Sequence, residues 1–249
     1  SRGLGDVYKR QAHAYVKLMQ QQNALRKKNF FLMGEPHFDN IVIGATGKAL
    51  LSLRIQGKEG HASTPETGIN AIDCMARFLT AVQEKYMPLY ANGVCASYCC
   101  LKIESDYAGY SLTIPSKCSA LMNKQLFPTE SIDSFIDDLQ RIYAEKVCVG
   151  NLTICREIPS YPAYQLSPEQ SDVQRLISLL RKQFGHAPEL RINQSVSDGN
   201  ILYNELSIPT VLFGPHGVAF HTECEYVKIS SLSQYMDELY AFIKQEYTR

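Results

Sequence analysis

Apolar and polar positions change their rhythm several times along the chain. From Lys48 onward, Ala49, Leu51, Leu53 and Ile55 alternate with Leu50, Ser52, Arg54 and Gln56. Period two with one mostly polar face predicts a strand covered on one side. Gly57 to Thr67 reads as a loop, and Ile72, Met75, Ala76, Leu79 and Val82 then fall on one helical stripe. Cys99, Leu101 and Ile103 alternate again, Tyr110 to Ile114 follows as a further run, and Cys118, Ala120 and Met122 begin another strand. Ile132, Phe135, Ile136, Leu139, Ile142 and Tyr143 make a second helical stripe, and Val147 to Cys155 closes with a last strand. Strand, helix, two or three strands, helix, strand is the order of a split, ferredoxin-like α+β module with both helices on one face of an antiparallel sheet.

The flanks read differently. Ala14 to Lys28 predicts a helix ending in the basic turn Arg26, Lys27 and Lys28. Phe30 to Met33 predicts a short buried strand, halted at Gly34, Glu35 and Pro36 because proline cannot donate to a ladder. Glu157 to Pro168 carries Pro159, Pro162 and Pro168 and predicts a linker. Beyond it, Val173, Leu176, Ile177, Leu180 and Phe184 mark a helix stopped by Gly185. Leu190 to Asn193 and Thr210 to Phe213 read as strands, and Leu232, Met236, Leu239 and Ile243 as a final helix. The expectation is an α/β domain in two pieces, 12–45 and 158–249, around an inserted α+β module at 46–157. Residues 1–11, SRGLGDVYKRQ, resemble translated sequencing-adapter sequence and are set aside as a non-native tail.

Composition narrows the class. The 249 residues are 45% hydrophobic and 20% charged, which suits one large domain or two smaller ones. A formal net charge of zero argues against a nucleic-acid partner. No apolar run is long enough to span a bilayer, and the first residues lack the apolar segment of a signal peptide. Eight cysteines show no pair at the spacing of a zinc ribbon or redox motif. They read as reduced, small apolar residues, and a cytoplasmic location is expected.

Three of the six histidines lie in turn-rich loops: His61 after Gly60, and His216 and His221 beyond Gly214 and Pro215. A loop histidine beside carboxylates can ligate zinc or move a proton. Each taken singly reads more readily as a surface or core-satisfying residue, and spacing alone establishes no metal site. His13, His37 and His186 read as surface residues.

Taken together, the motifs resemble a family. The run from Gly57 through His61, Pro65, Gly68 and Asn70 to Ile72 is similar to the lid signature of the two-zinc amidohydrolases and metallopeptidases. That family includes aminoacylase, acetylornithine deacetylase, succinyl-diaminopimelate desuccinylase and carboxypeptidase G. Ile114 to Ala120 resembles the segment after the lid hairpin. Ser197 to Asn200, Ile208 to Pro215 and His221 to Val227 resemble the C-terminal catalytic half, and Gly34 to Pro36 a strand-end turn bearing a metal-binding carboxylate.

The resemblance implies a partial zinc-exopeptidase-type α/β catalytic domain with the inserted module as a lid and dimerisation domain. Glu35 would ligate one zinc and His221 the other, two ions per complete site, with cobalt or manganese as chemical substitutes. His61 would reach a partner subunit's site and stabilise an oxyanion. Asp198 and Asn200 would support the site or touch substrate, and Glu225 would orient the loop around His221. The expected reaction is hydrolysis of an amide or peptide bond in a small N-acyl amino acid or peptide, by a homodimer joined through the lid.

Two departures stand out. The family's early His and Asp ligands and its Glu-Glu pair are not found here, so this chain offers each metal about one ligand where a catalytic zinc takes about three. Weak zinc binding and no turnover are therefore expected of this C-terminal portion alone. Family members also often carry Asp-x-Arg on the strand after Ile114 and Pro115, where this chain has Asn123, Lys124 and Gln125. Asn123 and Lys124 remain the substrate-contact candidates there, Lys124 as a point charge. The alternative reading is a non-catalytic binding or dimerisation protein that keeps the lid fold.

Overall fold

The structure is a computed structural model that describes residues 4–21, 30–35, 40–106, 112–219 and 222–247. The chain forms two compact units, one from Ser1–Thr46 with Ala163–Arg249 and one from Gly47–Pro162. The elements before the insertion are α1 (Leu4–Gln21), β1 (Phe31–Met33) and β2 (Asn40–Ala45). The inserted unit holds β3 (Gly47–Gln56), α2 (Ala71–Ala91), β4 (Tyr98–Ser105), β5 (Lys117–Leu126), α3 (Ile132–Lys146) and β6 (Asn151–Tyr161). After it come β7 (Tyr164–Gln165), α4 (Ser171–Phe184), β8 (Glu189–Asn193) and α5 (Asp198–Leu206). The chain then runs through β9 (Thr210–Leu212), β10 (Gly217–Val218), β11 (Tyr226–Val227) and α6 (Ile229–Tyr247).

The inserted unit is the split α+β module that the periodicity predicts. Its sheet is antiparallel in the order β4-β5-β3-β6. Leu51, Leu53 and Ile55 of β3 join Cys118, Ala120 and Met122 of β5 in one core with Met75, Phe78 and Val82 of α2 and Phe135, Leu139 and Ile142 of α3. Both helices therefore lie on that face, and the alternate β3 positions Leu50, Ser52 and Arg54 turn the other way. Asn70 caps α2 by accepting from the backbone N–H groups of Ile72 and Asp73, and Ser131 caps α3 by accepting from Ser134. Each such cap contributes about 1 kcal/mol.

The flanking unit carries a mixed sheet. β1 runs parallel to β9, and β2 runs parallel to β8 and antiparallel to β7. Ile41, Ile43, Val211 and Phe213 of the sheet meet Val173, Leu176 and Leu180 of α4 and Phe242 of α6 in its core. α4 ends at Gly185 in the left-handed region, as expected. The α/β assignment with an inserted α+β module holds.

Several elements differ from expectation. β2 and α5 carried no clear period: β2 is a continuous apolar run buried in a sheet, and α5 is short. The stretch expected as linker is partly strand, since β6 continues to Tyr161 and β7 pairs with β2. Proline is accommodated there because β6 is an edge strand that bulges. Glu157 faces Leu50 and Tyr161 faces Lys48, so four steps along β6 match two along β3. The last strand begins at Asn151 rather than Val147, after a turn in which Cys148 and Gly150 take positive φ. Helix α1 starts at Leu4, inside the segment set aside as foreign, and its Ala12 and Val16 are buried. Residues 22–28 and 110–111, parts of the expected first helix and of the run after β4, lie outside the described residues.

Candidate active site

In the inserted unit the candidate residue His61 lies on the loop that follows β3. The loop is stitched to the segment before β5: Gly57 N–H donates to Ser116 O at 2.7 Å, Ala62 N–H to Leu112 O at 2.8 Å, and Ile114 N–H to Gly60 O at 2.9 Å. His61 bridges Thr113 in this short antiparallel pairing and is exposed. Its Nδ1 accepts the backbone N–H of Ser63 at 3.3 Å and lies 2.6 Å from the Ser63 hydroxyl. A backbone N–H can only donate, so Nδ1 bears the lone pair and the neutral ring carries its proton on Nε2. Ser63 thereby presents the outer nitrogen of His61 as a hydrogen-bond donor, the form an oxyanion needs.

Lys124 and Asn123 part company on β5. Cys118, Ala120, Met122, Lys124 and Leu126 share the helix-facing side, so Lys124 is only 1% exposed. Its ammonium donates to Ala96 O and Glu130 Oε1, both at 2.8 Å, and lies 5.4 Å from the Phe135 ring centre. Glu130 Oε2 in turn accepts from the backbone N–H groups of Phe127 at 2.7 Å and Ala96 at 3.0 Å. The expectation that Lys124 offers a point charge to a substrate carboxylate fails for this reason: it is a core clamp. Asn123 lies on the opposite face, half-buried, and its Oδ1 is buried without a hydrogen-bond partner.

In the flanking unit, Glu35 follows β1 and lies against the turn after β9. Phe213 N–H donates to Met33 O at 3.0 Å, and a Cβ on Gly214 would meet Glu35 O at 2.3 Å. Only glycine lets the two strand ends come that close. Ser197 to Asn200 form the start of α5. Ser197 Oγ accepts the Gly199 N–H, and Asn200 Oδ1 accepts the Ser197 N–H at 2.9 Å. The Asn200 amide also donates to Thr46 O at 3.1 Å, which fastens α5 to the end of β2. Asn200, 1% exposed, is committed to this support, while half-buried Asp198 occupies the first turn of α5.

Tyr164, which the sequence reading placed in the linker, links Glu35 to α5. Its ring stacks on Tyr203 with centres 4.8 Å apart, and a Cβ on Gly199 would meet its hydroxyl at 2.7 Å. The hydroxyl is buried without a hydrogen-bond partner. Burial pushes its pKa well above the usual tyrosine range, and the charge of Glu35 pushes it further. No sequence signal marked this residue, because its place comes from the pairing of β7 with β2.

His221 and His37 lie outside the described residues, so the convergence of Glu35 and His221 is not read from them. The loop that carries His221 is framed by the β10–β11 hairpin, with Thr222 Oγ1 donating to Ala219 O at 2.7 Å and the exposed Glu225 donating its N–H to Thr222 O. Among the described residues, no group of three or more His, Cys, Asp or Glu could hold a metal ion. Glu35 would supply one of the roughly three protein ligands that a catalytic zinc takes. No helix among the described residues is long and apolar enough to cross a membrane.

Comparison with known proteins places these features in context. Residues 43–147 match the family of peptidase dimerisation domains. The acetylornithine deacetylase of Pectobacterium carotovorum subsp. carotovorum is 26% identical over 211 residues, covering 79% of this chain and 51% of the relative. The succinyl-diaminopimelate desuccinylase of Rickettsia bellii is 22% identical over 226 residues, covering 87% of this chain and 56% of the relative. The chain thus spans about half the length of the curated relatives it matches. By fold it is similar to a Staphylococcus aureus tripeptidase, with a TM-score of 0.71 and 21% identity over 88% of this chain and 57% of that one. Aminopeptidase PepT of Bacillus cereus gives a TM-score of 0.72 and 19% identity over 92% of this chain and 59% of that one. A metallo-carboxypeptidase of the M20 family from Sulfolobus solfataricus shares the fold at a TM-score of 0.60 and 13% identity, over 92% of this chain and 71% of that one. The resemblance drawn from the motifs is therefore supported: the chain is similar to members of the M20 peptidase family, and its residues 43–147 match the peptidase dimerisation domain.

Proposed function

We propose that this chain is part of a metal-dependent hydrolase of amide or peptide bonds, a deacylase or exopeptidase, working as a homodimer through its inserted unit. One observation carries the reading: Ser63 holds His61 with its Nε2–H free to donate, on an exposed loop stitched at both ends. A donor fixed in advance stabilises the negative oxygen of a tetrahedral intermediate without reorganising as charge develops. The other residues hold this geometry or shape substrate binding. Asn200 and Ser197 set the entry of α5, and Asp198 lies beside that entry. We read Glu35 and His221 as ligands of the metal ions, zinc by the chemistry of a carboxylate and an imidazole, and Glu225 as support for the His221 loop. Pairing between copies uses β4, an edge strand that bears the exposed side chains Leu101 and Ile103. Eight free cysteines fit a reducing, cytoplasmic setting.

The same residues bear on inactivity. The His and Asp ligands and the Glu-Glu pair that the resemblance calls for are not found in the 249 residues, so this chain alone is expected to turn nothing over. That observation also supports the second reading, a non-catalytic dimerisation protein. Assaying the product of the complete reading frame against N-acyl amino acids and short peptides, before and after chelation, separates the two. Hydrolysis abolished by chelator is the expected result. No hydrolysis across the panel leaves the dimerisation protein, and hydrolysis by the 249-residue chain alone refutes its inactivity.

A further inference from the structure

A cleft of about 520 Å³ lies at the end of the inserted sheet where β3 leads into the His61 loop. Arg54 of β3, Lys117 and Ser119 of β5, Thr153 of β6 and Glu104 of β4 line it, with Asp106 just beyond β4. The register groups them on the face turned away from α2 and α3. Arg54 has Ser119 directly across from it on one side and Thr153 on the other, Glu104 faces Ser119, and Lys117 follows two residues from Ser119 on the same face.

The charges of this cleft do not cancel. Glu104 is paired with Lys102 at 2.6 Å. Asp106 is committed to the chain beside it, accepting the Lys117 backbone N–H at 3.1 Å and the Ser116 hydroxyl at 3.4 Å. The guanidinium of Arg54 and the ammonium of Lys117 have no ion pair among the described residues, and the hydroxyls of Ser119 and Thr153 have no hydrogen bond among them. Two cations and two hydroxyl donors, carried by three adjacent strands, are thus left open around one hollow. A concave wall with one unspent sign of charge concentrates the opposite ion.

We propose that this cleft binds the phosphoryl group of a small phosphomonoester, with Arg54 and Lys117 as its counter-charges. A phosphoryl group carries about −1.5 to −2 charges near neutral pH, which matches two cations. Its oxygens diverge, so the Arg54 fork can take two of them and Lys117 another as a point charge, while Ser119 and Thr153 donate from either side of Arg54. A carboxylate brings one charge and two oxygens, which Arg54 alone would saturate, leaving Lys117 without a counter-charge. The volume falls within the roughly 300–1,000 Å³ of small-molecule sites, so an organic group can follow the phosphoryl group into the cleft. The site lies at the opposite end of β5 from Asn123, about 20 Å away by the rise of the strand. It stands whether or not the complete protein is a hydrolase.

Titration of the 249-residue chain at fixed ionic strength tests it, with inorganic phosphate, glycerol phosphate and acetate as probes and backbone amide shifts as the readout. Both phosphates are expected to move the signals of Arg54, Lys117, Ser119 and Thr153, and acetate to bind at least about tenfold more weakly than either. Arg54→Gln and Lys117→Gln should each weaken glycerol phosphate about tenfold or more. Arg54→Lys should cost less than Arg54→Gln, because the charge stays and only the fork is lost. Lys48→Gln, a cation at the far end of β3, should leave binding intact. Arg54 and Lys117 are exposed, so these variants should keep the fold, which amide signals away from the cleft report directly. Acetate binding as tightly as phosphate, affinity that survives Arg54→Gln or Lys117→Gln, or shifts gathered elsewhere overturns the site. Phosphate bound with glycerol phosphate excluded overturns the ester.

Discussion

Lys124 and Glu130 form an ion pair inside the inserted unit, ammonium to carboxylate oxygen at 2.8 Å, with the Lys124 side chain 1% exposed. The other Glu130 oxygen holds two backbone N–H groups at the turn into α3, so one carboxylate joins β5, the loop before β4 and the start of the helix. Lys124→Met leaves that carboxylate without its counter-charge and should destabilise the unit by about 3–5 kcal/mol. Urea unfolding measures this, and Lys124→Met with Glu130→Gln should recover part of the loss. A loss below about 1 kcal/mol would show the pair to be incidental.

Asp138 predicts a pH dependence. Burial acts to raise its pKa, but hydrogen bonds from Lys85 at 2.6 Å and Tyr86 at 2.7 Å, with the charges of Lys85 and Arg141, outweigh it and bring the carboxyl below its usual range. A carboxyl whose folded pKa is depressed adds stability above its unfolded value, about 4, and that stability is lost as pH falls through the folded value. Thermal unfolding of the wild type should therefore drop more steeply below about pH 4 than that of Asp138→Asn. Parallel curves for the two proteins would contradict this.

Tyr164 and Gly199 should be coupled. Gly199→Ala drives a methyl to within 2.7 Å of the Tyr164 hydroxyl and should cost about 1–3 kcal/mol. Tyr164→Phe removes a buried hydroxyl that has no hydrogen-bond partner and should be neutral or slightly stabilising. Combining them should recover part of the Gly199→Ala loss, because the clash is with the oxygen. Additive effects in a double-mutant cycle would count against the contact.

His61→Ala in the complete protein should lower kcat by about 10²–10³ while leaving the unfolding midpoint unchanged, since the residue is exposed. Ser63→Ala removes the hydroxyl beside Nδ1 but keeps the backbone N–H, and should cost less. Wild-type turnover in His61→Ala would remove this residue from the mechanism.

Much of this architecture was legible along the chain, and the reasons are local. Leu51, Leu53 and Ile55 alternate because one face of β3 is covered by helices and the other is not. β2 stayed hidden because a strand buried within a mixed sheet has no alternation to show. The loop around His61 was readable as a motif, but the Ser63 contact that sets its tautomer was not. Lys124 misled because its partner Glu130 lies six residues on, beyond the strand, and only the turn into α3 brings them together. Tyr164 and Lys48 owe their surroundings to pairings between distant strands, which no local pattern records.

The bulge in β6 bears on how many copies can join. Ile158, 93% exposed, and Pro159, which has no N–H to offer, interrupt the outer ladder on that side. The opposite border, β4, also bulges, between Cys100 and Lys102, but contains no proline. If copies join by strand addition as proposed, a ribbon that proline closes on one border stops growing once a second copy has filled the other, which favours closed pairs over filaments.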